Sequence, residues 1–322
     1  MDTCSHLLFG ASLAAMAQLH PSVAADPYLS AAVLTATLAG SHAPDLDSVV
    51  RLKSMEAYWK YHRSWTHSIP AWFGWAALIG GASAWLWGSG ASFWLLFAVS
   101  LAAVSVHVLF DWTNAYGVQF LLPWHKQWLH LDALCLTDPW LAALHATVAT
   151  GWFAGWWPDV GIAGAVAWVV TVLYAVWRIS HHRRMVAKLK RRFRRWRSVH
   201  VLPGLWWFRW QFAAQTEEGF ELGWIVGDRI VTTRKLPPSM PHPCVDASLG
   251  VPSVRTLNDF AKRKYVTWTM GADGRYTVTW TDVRFWRERE WPYRAEVVLD
   301  QQLNVLAHRI GWHKRAWQYP YV

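Results

Sequence analysis

The chain has 322 residues, 53% hydrophobic and 16% charged, with a formal net charge of +10. That apolar content excludes a disordered chain. One soluble globule is excluded by the distribution of charge: residues 1–177 carry five Lys/Arg and nine Asp/Glu, while residues 178–197 carry ten Lys/Arg and no acid. The first half has too little polar surface to face water.

In chain order, Met1-Asp2-Thr3-Cys4-Ser5-His6 has no basic n-region, so the first segment is expected to stay in the mature protein rather than leave as a signal peptide. Asp2 or Thr3 is the expected helix N-cap. Thr3–Ala25 and Pro27–Pro44, separated by Asp26, are apolar and Ala-rich. They read as spans or as a helical hairpin packed among other helices. From Ile69 to Phe110 there is no Asp, Glu, Lys or Arg across 42 residues, and the conspicuous break is Gly88-Ser89-Gly90. A span takes about 20 apolar residues, so this run predicts two spans and a tight turn. Pro139–Pro158 and Val160–Trp177 predict another pair around Asp159. Residues 1–180 are therefore expected to form an α-helical polytopic membrane bundle of four to six membrane helices.

The turns near Asp26, Ser89 and Asp159 contain no Lys or Arg. Arg51, Lys53, Lys60, Arg63, Lys126 and the block Arg178–Arg197 fall on the other side, which predicts both termini in the cytoplasm. Trp72, Trp75, Trp85, Trp87, Trp152, Trp156 and Trp157 lie near expected span ends, where indoles anchor and pack.

Residues 181–202 read as a basic amphipathic juxtamembrane helix, with Met185, Leu189, Phe193 and Trp196 at helical spacing. Anionic lipid headgroups along 178–197 are its expected partner. Nucleic-acid phosphates attract the same charges and are the lesser reading. Residues 203–322 are expected to form a small antiparallel β-rich cytoplasmic domain, with a surface for a protein partner. Tyr265–Met270 and Arg275–Thr281 flank a Gly271-Ala-Asp-Gly274 turn, and Arg294–Leu299 pairs with Val305–Ile310. Phe220–Val231 reads as a further strand. His242, His308 and His313 are expected to be surface or packing residues. Cys4, Cys135 and Cys244 have neither disulfide nor zinc spacing and read as small core residues in a reducing compartment.

Chemistry is concentrated before residue 178, where nine of the 15 histidines lie. Ionisable groups at membrane depth are functional candidates. Four separate regions bring His or Asp to the expected cytoplasmic face: His6, Asp45 with Asp47, His62 with His67, and His107 with Asp111. Alone, each has a plain structural reading as a helix start, a turn former or a helix-end hydrogen bond. Together on one face they point to a metal centre. His107 and Asp111, at i and i+4, share a helix face. Asp45 and Asp47 need not both ligate: one can bind or bridge while the other holds a histidine or acts as general base. His62 and His67 do not align on a straight helix, so one belongs in a loop, with Ser64 or Thr66 capping the next helix. Mixed His/Asp donors suit Zn²⁺, with Mn²⁺ or Fe²⁺ as alternatives, as one ion or more. Arg63 beside them is expected to hold a phosphate or carboxylate oxygen.

Met1-Asp2-Thr3-x-x-His6 with Gly10, Ala43-Pro44-Asp45-Leu46-Asp47, His62-Arg63-x-x-Thr66-His67-Ser68, and His107-x-x-x-Asp111 with Gly117 and Pro123 resemble the YdjM family. The start and Ser68-Ile69-Pro70 look most like its YfhP-type branch. By motif the resemblance covers about residues 1–125. Ser64 stands where Gly is expected in His-Arg-Gly, and His42 where a polar residue is common. The resemblance implies a bacterial inner-membrane, metal-dependent hydrolase. The order His, Asp, His, His-x-x-x-Asp is also similar to the ligand order of zinc-dependent phospholipase C and related nucleases, which implies a phosphoester substrate, with a lipid as one form of it. The competing reading is a membrane-anchored regulatory or partner-binding protein in which the metal is structural.

Overall fold

Asp2 starts the first helix, α1 (Thr3–Ala17), by accepting from the Ser5 N–H at 3.2 Å and the Ser5 hydroxyl at 2.6 Å. This satisfies donors that a helix start leaves without partners. In the computed structural model, which describes residues 1–88, 93–193, 195–287 and 290–313, the same device recurs. Asp26 caps α3 (Pro27–Gly40), which follows the short α2 (Pro21–Ala25). Ser68 caps α5 (Ile69–Trp87), and Asp138 caps α7 (Pro139–Phe153), each with Pro in the first turn. Between these lie α4 (Met55–Tyr61) and α6 (Phe93–Thr113), and α8 (Val160–Arg192) follows α7. The expected turn residues Ser89 and Gly90 lie outside the described residues.

Contacts divide the chain into two units, Met1–Ser48 with His62–Ser180, and Val49–Tyr61 with His181–Val322. Segment 49–61, which the sequence reading leaves in the first part, groups with the second.

In the first unit, α5, α6 and α8 are long and apolar enough to cross a bilayer. The other three apolar segments form α1, α3 and α7, of 15, 14 and 15 residues. At 1.5 Å per residue these rise about 22 Å, short of a hydrocarbon core of about 30 Å. Local chemistry shortens them. Pro21 separates α1 from α2. After α7, Gly155 takes φ 69° and Trp157 folds back to donate to the Val148 carbonyl at 3.3 Å.

Hydrogen bonds bring the polar helix ends together. The Asp2 N–H donates to the Leu136 carbonyl before α7 at 3.0 Å. His107 Nδ1, near the end of α6, lies 2.7 Å from the Ser41 carbonyl that follows α3. Tyr174 on α8 donates to Asp138 at 3.0 Å. Deeper in the bundle, buried His145 lies 2.6 Å from Ser12 Oγ and 2.8 Å from Thr171 Oγ1, tying α7 to α1 and α8. Close helix approach depends on small residues. A Cβ on Gly10 would fall 2.5 Å from Ser41 Oγ and 2.8 Å from the Thr37 carbonyl oxygen. Gly10→Ala is therefore expected to push α1 from α3 and cost about 1–3 kcal/mol, as overpacking does. A thermal unfolding midpoint in detergent equal to wild type would contradict this.

In the second unit, β1 (Trp196–Pro203), β2 (Arg209–Thr216), β3 (Gly219–Val226) and β4 (Arg229–Leu236) form an antiparallel sheet in sequence order. Met185, Leu189 and Phe193 pack against Val201, Trp210, Phe212, Ala214 and Ile225. This corrects the amphipathic-helix reading of 181–202: α8 stops at Arg192, Trp196 opens a strand, and the apolar stripe is covered by protein. Arg194 lies outside the described residues. Phe220–Val231 is likewise two strands, turned at Gly227, which takes φ 54°.

The helices α9 (Pro243–Ser248) and α10 (Pro252–Phe260) precede a second antiparallel sheet, β5 (Lys264–Met270), β6 (Tyr276–Asp282), β7 (Tyr293–Leu299) and β8 (Val305–Trp312), also in sequence order. Val254, Leu257 and Phe260 of α10 are buried, as are alternate residues Tyr293, Ala295, Val297 and Leu299 of β7. Trp59 of α4 joins this core, its ring 5.3 Å from Phe260 and 4.7 Å from Tyr293. The fold is thus a helical N-terminal region followed by a two-sheet antiparallel β domain.

Candidate metal centre

Ala43–Leu52 forms consecutive 3-10 turns. With three residues per turn, side chains at i and i+2 point about 120° apart. Asp45 and Asp47 therefore diverge toward different histidines. Arg63 takes φ 63°, reversing the chain before the single 3-10 turn Trp65–His67. Ser68 caps α5, in place of the expected Ser64 or Thr66, and Thr66 donates to Asp47 instead. His107 and Asp111 occupy one face of α6, as their spacing requires.

These elements bring Asp45, His67, His107 and Asp111 together. His67 Nε2 lies 3.3 Å from His107 Nε2, 3.5 Å from Asp45 Oδ1 and 3.5 Å from Asp111 Oδ2. His107 Nε2 lies 3.5 Å from Asp45 Oδ1 and 3.6 Å from Asp111 Oδ2. A tetrahedral cation with bonds of about 2.1 Å separates its donors by about 3.4 Å. Asp45 Oδ1 and Asp111 Oδ2 are buried and have no hydrogen-bond partner, a costly arrangement for carboxylates. The His107 tutor is the Ser41 carbonyl: it accepts from Nδ1, which leaves the Nε2 lone pair facing the cluster. The donor set fits a small divalent cation. The side chains of His67, His107 and Asp111 are fully buried, and Asp45, at 12% exposed, marks the open side.

Asp47 contacts both His62 and His67. It accepts from the Arg63 N–H at 3.0 Å and from Thr66, sits 2.6 Å from His62 Nδ1, and lies 3.5 Å from His67 Nδ1. With His62 and Asp45 it forms a second, overlapping group of possible ligands. His6 stacks on His107 at 3.8 Å and places Nε2 3.4 Å from Asp111 Oδ1, the oxygen facing away from the quartet. Arg63 is buried. Its guanidinium lies 3.0 Å from Asp111 Oδ1 and donates to Asn114 Oδ1 at 3.1 Å, with Tyr116 at 5.4 Å. The Met1 α-amino group also meets Asp111 and lies 2.9 Å from His6 Nε2. Residue patterns could not signal it, because a backbone amine has no side-chain identity.

The local field is negative. Burial by itself would lower the His67 pKa, but the carboxylates of Asp111, Asp45 and Asp47, each 3.5 Å from its ring nitrogens, outweigh it and raise it to about 10. Burial would raise Asp45, yet His107 and His67 hold it well below the carboxylate range. Asp47 is likewise held low by His62 and His67 against its burial. Such a site favours positive charge, whether a proton or a cation.

Residues 1–185 match the YdjM inner membrane protein family, and residues 243–319 match the YfhP C-terminal alpha/beta plait domain. The chain belongs to the YdjM family. It is 31% identical to "Uncharacterized protein YfhP" of Bacillus subtilis (strain 168) over 315 residues, covering 97% of this chain and 95% of that protein. No solved structure matches. The quartet lies wholly inside the YdjM-matched part. Family membership and three apolar helices make this a membrane protein.

Proposed function

We propose that this YdjM protein is a membrane-bound metal-dependent hydrolase of phosphoesters, including lipid phosphoesters, with Asp45, His67, His107 and Asp111 holding Zn²⁺ or, alternatively, Mn²⁺ or Fe²⁺. The observation that carries the reading is the pair of partnerless buried carboxylate oxygens, Asp45 Oδ1 and Asp111 Oδ2, beside two imidazole nitrogens at tetrahedral spacing. Such a cation, when bound, polarises a phosphoryl oxygen and lowers the pKa of water toward neutrality. The chain's own residues orient this centre. Ser41 holds the His107 tautomer, Asp47 positions His62 and His67, and Arg63 balances the outer oxygen of Asp111. The partial exposure of Asp45 sets the side from which substrate approaches.

A structural metal in a membrane-anchored regulatory protein is favoured by one observation. Four protein donors at tetrahedral spacing close a site, whereas catalytic zinc keeps an open position. Purified protein assayed with bis(p-nitrophenyl) phosphate beside Asp111→Ala separates the two. Metal-dependent turnover lost in the variant supports the hydrolase. Stoichiometric metal with no turnover across a phosphoester panel overturns it in favour of the structural role.

The Lys/Arg distribution supports a cytoplasmic site in a bacterial inner membrane. A reporter fused at Asp159 is expected to read outside, and one after Arg197 cytosolic. An outside signal from the Arg197 fusion would reverse that orientation.

A further inference from the structure

Two indoles of α5 turn toward the metal centre. Trp72 Nε1 donates to the His67 carbonyl at 2.8 Å, and Trp75 Nε1 donates to the Thr66 carbonyl at 3.1 Å. His67 is one of the four candidate ligands. Both carbonyls precede α5, whose own ladder starts where the Trp72 N–H meets the Ser68 carbonyl at 3.1 Å. The helix ladder therefore cannot satisfy them, and buried carbonyls need donors. Beside a helix apolar enough to cross a bilayer, water is not a dependable one. An indole suits the task, with one N–H donor and no acceptor on an apolar body.

The side of α5 that carries these rings argues against plain interfacial anchoring. Trp72 and Trp75 are three residues apart and share a helix face. Ala76, Ile79, Gly80 and Ser83 continue that face and are buried. Trp72 and Trp75 are themselves partly buried, whereas Phe73 and Leu78 are exposed and mark the outward side. An indole serving only the bilayer interface belongs on the outward side, as Trp85 is, at 84% exposed.

The same turn is held from its other flank. The Ile69 N–H donates to the Phe120 carbonyl at 2.9 Å, and the Gln119 N–H donates to the Arg63 carbonyl at 3.0 Å. The Trp72 ring lies 6.4 Å from the Phe120 ring, so the two flanks also meet. Between them the His67 imidazole is set with Nδ1 3.0 Å from Thr66 Oγ1 and Nε2 3.3 Å from His107 Nε2.

We infer that Trp72 and Trp75 are positioning residues of the metal centre, clamping the Thr66-His67 turn by its carbonyls so that His67 Nε2 faces the other three donors. The role rests on the quartet being the metal site. Groups that fix a ligand's orientation support metal affinity without touching the ion. A pre-set turn also spares the ordering cost that binding would otherwise incur.

The test uses the full chain in detergent, with Zn²⁺ affinity read by chelator competition. Phenylalanine keeps an apolar ring and removes the N–H. The double variant Trp72→Phe/Trp75→Phe is expected to bind Zn²⁺ about tenfold or more weakly, and Trp85→Phe to match wild type. In a His67→Ala background the same two substitutions are expected to change affinity by less than about twofold, because effects that act through one shared residue are not additive. An equal fall in both backgrounds overturns the role, since general loosening of the bundle would do that. Unchanged affinity in the double variant overturns it as well. The visible absorption of bound Co²⁺, intense in a tetrahedral site, is expected to weaken in the double variant, and identical bands contradict the clamp. Should the double variant aggregate, Trp72→Phe and Trp75→Phe are read singly by the same criteria, each leaving one carbonyl held. Wild-type protein that binds no metal overturns the quartet and this role with it, whereas the other contrary outcomes overturn this role alone.

Discussion

Replacing His107 or Asp111 with alanine is expected to lower metal affinity by well over about 100-fold, beyond the 10–100-fold that loss of a supporting group costs. His107→Ala removes one of four donors and leaves Asp45 Oδ1 and Asp111 Oδ2, already without hydrogen-bond partners, facing a vacated corner. Asp47→Asn, which weakens only the hold on His62 and His67, belongs in the supporting range of about 10–100-fold. His145→Ala should leave metal content unchanged, because that imidazole is bonded to Ser12 and Thr171 instead. Elemental analysis after dialysis against a weak chelator reads all three, with size-exclusion elution in detergent to verify folding. Wild-type metal content in His107→Ala would remove the quartet as the binding site.

Metal affinity is expected to rise about tenfold per pH unit through the neutral range, the signature of one displaced proton. The raised pKa of His67, about 10, means that the metal-free protein holds an imidazolium there at pH 7. A cation must replace that proton to reach Nε2. The sign for stability is opposite. A pKa raised from its ordinary 6.5 stabilises the metal-free fold fully below pH 6.5, and the contribution disappears as pH rises through 10. Alkaline pH should therefore weaken the metal-free protein while strengthening metal binding. Chelator competition from pH 6 to 9, paired with unfolding of the metal-free protein, measures both. An affinity that does not change over this range would mean that His67 is already neutral and the local field weaker than the geometry implies.

Much of the fold was legible because its signals are local. The charge-free run Ile69–Phe110 marks α5 and α6, and Gly271–Gly274 marks the β5–β6 turn. Other features were hidden where local signals conflict with packing. Phe193 and Trp196 continue a helical apolar spacing, yet the helix ends at Arg192, before both: Phe193 packs into a sheet core and Trp196 opens a strand. Trp59 carries no local signal of its place, and lies beside Phe260 and Tyr293, some 200 residues later in the chain.

The sequence by itself determined what local geometry controls: the Asp2 cap, the shared face of His107 and Asp111, and the concentration of His and Asp in four regions. Helical periodicity and side-chain hydrogen bonding act over a few residues, so these features need no distant partner. Only the tertiary structure decided how the regions meet. It turned Asp45 toward His67 and His107 and Asp47 toward His62 and Thr66. It also committed Arg63 to Asp111 and brought the Met1 amine to the same carboxylate. These pairings join residues tens of positions apart, and they are set by how closely helices pack around small residues such as Gly10, a packing fit that no local spacing encodes.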